Sequence, residues 1–269
     1  MKEMKVLTDL NRPCAFVPTM GALHAGHQSL ISKARELCDE VVVSVFVNPL
    51  QFEDKEDLAK YPRTPERDAE LAAQAGATIL WTPEYETIYP NEITKLSAGE
   101  LGTKFEGVHR PGHFDGVLTV VNRLFELVQP RYAIFGEKDF QQLFLITKMA
   151  AELHSDIEIV PAPTIREVTG LAMSSRNVRL SAQARTDADV IAQVLRKASA
   201  HEDTSLARTA LEEISREPLF TLDYAEIIDE ETFELASEET EKRRAIIAGW
   251  IDGVRLIDNM AMKSALVQV

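Results

Sequence analysis

Three things are scarce in this chain of 269 residues: long apolar runs, grouped basic residues and cysteine. No run comes near the ~20 apolar residues that a membrane span requires, and Met1 to Asn11 lacks the apolar core of a secretory signal. Lys and Arg number 29 against 43 Asp and Glu, a formal net charge of −14. A nucleic-acid binder neutralises phosphates with clustered Lys and Arg. With no such cluster here, nucleic acid is not expected as a partner, whereas a small anionic ligand needs only a few local cations. The two cysteines, Cys14 and Cys38, sit in apolar stretches, as suits reduced core residues of a cytoplasmic protein. Internal repeats and low-complexity segments are also missing, so a repeat array is excluded.

What is present is an ordinary globular composition, 45% hydrophobic and 27% charged, with length for one large domain or two modest ones. The stretch that organises the rest is Pro18-Thr19-Met20-Gly21-Ala22-Leu23-His24-Ala25-Gly26-His27. Before it, Cys14-Ala15-Phe16-Val17 reads as a buried strand; after it, Leu30, Ile31, Ala34, Leu37 and Cys38 recur at helical spacing. The order is strand, loop, helix, and both histidines fall where the helix begins. Unpaired amides and the positive end of the macrodipole make such a terminus a phosphate site. Gly21 and Gly26 let backbone approach a bulky anion, and His24 and His27 add donors to charge that grows during reaction. Two histidines three apart could also be half of a zinc site. No cysteine pair or acidic third ligand accompanies them at metal spacing, so the phosphate reading is preferred.

The remaining chain repeats the strand–helix alternation of a doubly wound sheet. Glu40 to Val47 is rich in β-branched residues and ends at Asn48-Pro49-Leu50-Gln51-Phe52, which puts Gln51 at a strand's carboxyl end, where ligands of open α/β sheets lie. Glu53 to Lys60 reads as a charged connector. A helix follows with Thr64 as cap and Pro65 at its first position, closed by Gly76, and Ala77 to Trp81 is the next strand. Arg110 and His113 are potential anion contacts ahead of a helix spanning about Gly116 to Val128. Tyr132 to Phe135 is a strand ending on Gly136-Glu137-Lys138-Asp139-Phe140-Gln141-Gln142, where Lys138 can pair with phosphate and Asp139 sits at a helix N-cap. Ile157 to Val160 reads as the last strand of the sheet. The loop Arg166 to Asn177 then brings two hydroxyls and a guanidinium together, with Gly170 permitting movement. Beyond Leu180 the character changes: helices from Ser181 to Ala200 and Thr204 to Glu217, capped by Ser181 and Thr204, then strands at Leu222–Ile228 and Arg244–Trp250. Asp252-Gly253 turns the chain into a hairpin with Val254 to Ile257.

Four blocks, Pro18–His27, Asn48–Phe52 with Tyr61-Pro62-Arg63, Arg110–Val117 with Phe135–Leu143, and Gly170–Asn177, resemble the pantothenate synthetase (pantoate–β-alanine ligase) family. They occur in the family's order and span essentially the whole chain. The two histidines also resemble the signature of the wider nucleotidyltransferase superfamily. The resemblance implies an α/β fold: a Rossmann-like, mostly parallel nucleotide-binding sheet over residues 1–168, then a small α+β domain over 169–269 acting as a lid. It implies ATP contacts at Met20, Gly21, Ala22, Leu23, His24, Ala25, Gly26, His27, Gly136, Glu137, Lys138, Asp139, Val168, Met173, Ser174, Ser175 and Arg176. Pantoate contacts are implied at Gln51 and Gln142, and acid catalysis at His27. Asp68 matches an acidic position implicated with the metal, while Arg67 stands where some members carry another acidic residue. Phe140 stands where many have Tyr.

The implied chemistry is attack of the pantoate carboxylate on the α-phosphorus of ATP, then displacement of AMP by the amine of β-alanine. His24, His27, Lys138, Ser174, Ser175 and Arg176 supply the donors and Mg²⁺ bridges the departing phosphates; the family suggests a homodimer. Two other readings stay open on the residues alone. A nucleotidyltransferase that keeps the adenylyl group on its product would release no AMP. A non-catalytic nucleotide-binding regulator would bind ATP without turnover.

Overall fold

The computed structural model describes residues 1–5, 7, 10–52 and 55–263. Six strands form a sheet: β1 (Lys2–Met4), β2 (Cys14–Thr19), β3 (Glu40–Val45), β4 (Ile79–Trp81), β5 (Tyr132–Gly136) and β6 (Glu158–Ala162). Their order is β1-β4-β3-β2-β5-β6 and every neighbouring pair is parallel. Between them run α1 (Ala25–Leu37), α2 (Lys55–Lys60), α3 (Pro65–Ala75), α4 (Tyr85–Ile88), α5 (Glu106–His109), α6 (His113–Val128) and α7 (Phe140–Leu153). Helices cover both faces, which is why β2 and β3 read as unbroken apolar runs rather than alternating ones. Ala15, Val17, Val41, Val43 and Ile134 share one core with Ile31 and Ala34 of α1 and Ala72 of α3. Phe16 and Val42, also buried, face the other side, where Phe125 of α6 meets Phe135 of β5 edge-on. Truncating a fully buried member such as Ile31 to alanine costs about 2–5 kcal/mol.

The sheet grows in opposite directions from β2, with β3 and β4 on one side and β5 and β6 on the other. That reversal is the switch point at which α/β sheets bind ligands. The β2–β3 ladder continues to Thr19↔Val45, but the β2–β5 ladder ends at Phe16↔Ala133. The carboxyl ends of β2 and β5 therefore part, and the signature loop leaves the sheet from β2 at this place.

Several local expectations are corrected. The edge strand β1 escaped the reading because three largely polar, exposed residues carry no apolar period. Helix α6 begins at His113, not Gly116, with Gly112 at φ +72° before it. Thr64 occupies the N-cap of α3 but makes no cap hydrogen bond; its hydroxyl donates to Asp68 instead. The charged connector contains α2, while Glu53 and Asp54 lie outside the described residues.

The chain divides into two compact units, the first comprising Met1–Glu137 and Gln141–Pro163, the second Lys138–Phe140 and Thr164–Val269. In the second, α8 (Ala182–Asp187), α9 (Asp189–Ser199) and α10 (Thr204–Glu212) accompany an antiparallel sheet of β7 (Thr221–Asp229), β8 (Arg243–Ile251) and β9 (Val254–Ala261). Ile191, Leu195, Leu211 and Ile214 pack with Ile227, Ala245, Ile247 and Leu256. Asp252 and Gly253, both at positive φ, form the β8–β9 turn. The helix expected from Ser181 to Ala200 is two. Ala188 keeps right-handed dihedrals (φ −64°, ψ −13°), so the hydrogen-bond ladder shifts there without reversing the chain. Ser181 caps α8, but the cap of α10 is Asp203, whose carboxylate accepts from the Leu206 amide. Thr204 is buried one residue later and its hydroxyl accepts from Arg243.

Candidate functional site

The signature loop is held by its own side chains. Gly21 (φ +85°) and Ala22 (φ +50°) both adopt positive φ after β2. A Cβ on Gly21 would stand 2.9 Å from Asp68 Oδ2 and 3.0 Å from Val45 Cγ1, so this position needs glycine both for its dihedral and for space. The Ala22 amide donates to Asp68 Oδ2 (3.0 Å) and the Leu23 amide to Asp68 Oδ1 (2.8 Å). Leu23 is buried in the core beside Ile31, which pins the loop to the sheet.

At the N-terminus of α1 the two histidines cap each other's backbone. Gly26 N–H donates to His24 Nδ1 (3.1 Å) and His24 N–H donates to His27 Nδ1 (3.3 Å), a reciprocal capping box built from imidazoles where Ser/Thr and Glu/Gln are usual. Because Nδ1 accepts in both rings, the proton of each neutral imidazole lies on Nε2. The ring centroids are 4.1 Å apart. The sequence suggested unpaired amides for phosphate; in the structure the Ala22, Leu23, His24 and Gly26 amides bond within the protein. The side-chain donors this loop carries are the imidazole Nε2–H groups.

Gln51, 8% exposed, ends a short 3-10 turn whose cap is Asn48. The Asn48 side chain donates to Gln51 Oε1 (3.1 Å) and to the Gly116 carbonyl (3.0 Å) and accepts from Tyr89 Oη (3.0 Å). Burial pushes the Tyr89 phenol well above its ordinary range, so it serves as a donor. Gln51 Nε2 lies 3.1 Å from Met20 Sδ, which ties this turn to the signature loop. Arg110 and His113, read as potential anion contacts, hold the Gln51 carbonyl. Arg110 donates to His113 Nε2 (2.9 Å), so His113 donates through Nδ1 to Gln51 O (2.9 Å), the tautomer opposite to that of His24 and His27. The sequence signal for Asn48 was an Asn directly before Pro at a strand end; nothing local marked Tyr89.

Gly136 closes β5 against Ala162, with Glu137 following, and Gln142 is half-buried on the first turn of α7. Its neighbour Gln141 is the buried one, spanning the Leu101 and Lys104 carbonyls and the Glu106 amide. In the second unit the Lys138 carbonyl accepts from Asn259 Nδ2 (2.8 Å), and Lys138 Nζ lies 3.7 Å from Asp139 Oδ1. Phe140 stacks on Phe233 at 5.9 Å, with the Arg244 guanidinium 3.9 Å from its centroid. Arg244 also donates to Asn259 Oδ1 (2.6 Å) and Glu230 Oε1 (2.7 Å). The aromatic face is what this stack uses, so Phe suffices at position 140.

The loop from Arg166 to Asn177 is also bound internally. Arg166 pairs with Asp258 and donates to the Gly170 carbonyl; Glu167 accepts from Arg185 twice, both at 2.7 Å, and from Asn177 (2.9 Å). The Arg185 hydrogen bond holds the Glu167 carboxyl below its usual range. Gly170 is buried, and a Cβ there would stand 2.3 Å from Arg196 and 2.6 Å from Asp189. Its φ of +108° and the lack of room for a Cβ both require glycine here. Ser174 caps the turn Ser175–Arg179 by accepting from the Arg176 amide (3.2 Å), Met173, Ser175 and Arg176 are half-buried, and Val168 is fully exposed.

Asp68 does not fit a metal. It is 2% exposed and accepts from Ala22, Leu23 and Thr64. Among the described residues no group of three or more His, Cys, Asp or Glu side chains is placed to hold an ion.

The profile of the pantoate–β-alanine ligase family matches residues 1–261. The chain is 46% identical over 265 residues to the pantothenate synthetase of Acidothermus cellulolyticus, covering 95% of this chain and 88% of the relative. It is 43% identical over 270 residues to that of Bacteroides fragilis, with 98% and 96% covered. A crystal structure of the Thermus thermophilus enzyme superposes with a TM-score of 0.89 at 42% identity, covering 97% of this chain and 99% of that one. A Francisella tularensis pantoate–β-alanine ligase, complexed with a β,γ-ATP ligand and β-alanine, superposes with a TM-score of 0.77 at 36% identity, with 92% and 89% covered.

Proposed function

The chain belongs to the pantoate–β-alanine ligase family, and on that premise we propose that it condenses pantoate with β-alanine, converting ATP to AMP and diphosphate through a pantoyl adenylate. The observation that carries the site assignment is the reciprocal histidine cap: two imidazoles locked with Nε2–H outward from the Nδ1 bonds, at a helix N-terminus beside the sheet's switch point. Donors fixed in advance stabilise charge that develops on a phosphoryl group without reorganising during the reaction.

In the first step a pantoate carboxylate oxygen bonds to the α-phosphorus and the bond to the bridging oxygen breaks, releasing diphosphate. Phosphoryl transfer asks a protein mainly for positioning and charge stabilisation. We assign His24 and His27 to the phosphoryl oxygens, Lys138, Ser174, Ser175 and Arg176 to the phosphate chain, and Gln51 and Gln142 to pantoate. Met20 to His27, Gly136 to Asp139, Val168 and Met173 to Arg176 are assigned to the nucleotide. In the second step the neutral amine of β-alanine bonds to the acyl carbon, AMP departs with the acyl–oxygen electron pair, and the amine's surplus proton is lost. Mg²⁺ supplied with ATP would add to the neutralisation of phosphate charge that Lys138 and Arg176 provide. No helix among the described residues is long and apolar enough to cross a membrane, and we propose a cytoplasmic homodimer.

The test supplies ATP and Mg²⁺ with pantoate, with and without β-alanine. Pantoate alone should exchange labelled diphosphate into ATP, and adding β-alanine should yield equal amounts of pantothenate and AMP. Exchange that requires β-alanine, or a product that retains the adenylyl group, would overturn the reading.

A further inference from the structure

We propose that Asp68 is a positioning residue for the histidine-bearing loop, not a ligand for the reaction's metal; this rests on the proposed role of His24 and His27. Asp68 lies in the first turns of α3, and α3 is fastened to α1, with Ala34 and Ala72 in one core and Gln28 Nε2 donating to the Leu71 carbonyl. From that frame its carboxylate reaches the two loop amides immediately before His24, at 3.0 and 2.8 Å, while Thr64 Oγ1 donates to it at 3.0 Å. Three donors meet two oxygens buried to 2% exposure, so the group is committed to the loop. The backbone it holds is the costly part: Ala22 sits at φ +50°, a conformation a residue with a Cβ keeps only where its surroundings impose it. Release of these bonds frees Ala22 to return to negative φ, which re-aims His24 and dismantles the reciprocal cap on which both Nε2–H directions depend. Arg67, exposed on the adjacent position, has no part in this.

The experiment measures pantoate-dependent diphosphate–ATP exchange across a Mg²⁺ series for the parent, Asp68→Asn and Thr64→Val. Asp68→Asn keeps the shape but turns one acceptor into a donor facing a backbone amide. Its maximal exchange at saturating Mg²⁺ should fall about 10–100-fold, the population shift one unpaired buried amide can drive. The half-saturating Mg²⁺ and the pantoate KM should stay within about twofold of the parent, since neither ligand touches the residue in this proposal. Thr64→Val, which removes only the hydroxyl donor, should lower exchange a few-fold in the same way and keeps the test open if the Asn variant does not fold. Recovery of Asp68→Asn at high Mg²⁺, or parental exchange in both variants, overturns the proposal. Nitrogen-15 imidazole spectra of the ligand-free protein supply the arm independent of turnover. Asp68→Asn should shift the His24 and His27 ring signals and leave His113 in place; unchanged His24 and His27 signals overturn the proposal. A parent without exchange would instead count against the reaction assigned above.

Discussion

Replacing His27 with asparagine separates two jobs that one imidazole performs. The asparagine Oδ1 occupies nearly the place of Nδ1, so the bond from the His24 amide (3.3 Å) survives, whereas the Nε2–H donor is gone. Loss of one preorganised donor to a developing phosphoryl charge costs ~10²–10³ in rate, or roughly 3–4 kcal/mol. Pantoate-dependent exchange should fall by that factor while stability stays within about 0.5 kcal/mol of the parent. His27→Ala removes donor and acceptor together. It should match the rate loss and lose about 0.5–1 kcal/mol more, the low half of the capping range because the bond is long. For a unit of this size that is a fall in Tm of about 2–4 °C per kcal/mol. His24→Asn should be at least as well capped as the parent, since asparagine ranks among the best N-cap residues, yet exchange slowly. The double variant should lose less than the product of the two single losses, because both donors serve one phosphate. Exchange assays at saturating ATP and pantoate, with thermal melts on the same samples, read both quantities. If His27→Asn exchanges at the parental rate, the Nε2–H donor has no role in the chemistry and the assignment of this loop fails.

Three further outcomes are expected. Gln51→Ala should raise the pantoate requirement strongly and leave ATP binding nearly unchanged, read by titrating each ligand separately; equal losses for both would contradict its assignment. Asn259→Ala leaves the Lys138 carbonyl without its 2.8 Å donor and, if that bond aims Lys138 at the nucleotide, should raise the ATP KM about 2–10-fold, one hydrogen bond's worth, with the pantoate KM unchanged. Folding lowers the Glu167 carboxyl from its ordinary value of 4.5, so the Arg185–Glu167 contribution is present above that pH and is lost as pH falls through the lower folded value. Arg185→Ala should therefore reduce stability at pH 7, by under about 1 kcal/mol because the pair is partly solvated, and flatten the acid limb of a stability–pH curve below pH 4.5.

What could be read in the chain follows from how local each signal is. Buried parallel strands announce themselves as β-branched runs, so β2, β3 and β5 and the helices α1, α3 and α6 were readable to within a few residues, whereas the short α2, α4 and α5 were not. The same locality explains the failures. β1 has only Lys2, Glu3 and Met4 to show, and its partners Ile79 to Trp81 lie 77 positions further along the chain. Thr204 and Thr64 are good cap residues by type, yet each hydroxyl is claimed by a partner, Arg243 or Asp68, that sequence proximity could not identify.

The motif told where chemistry concentrates but not which atoms face it. From the sequence, two glycines and a helix start argued for phosphate on backbone amides, the common solution for loops of this kind. The fold turns four of the loop's amides inward, two on Asp68 and one on each histidine. An amide donor points where the backbone points, whereas an imidazole held at Nδ1 carries its second nitrogen some distance beyond the backbone. A site that must meet growing charge gains reach from that exchange. The cost is that the direction of the donors depends on a strained alanine, Ala22, and on a buried carboxylate, Asp68, that touches no substrate in this reading. Substitution of Asp68 should thus slow exchange about 10–100-fold with both imidazoles still in the chain, a smaller loss than removal of a histidine donor itself.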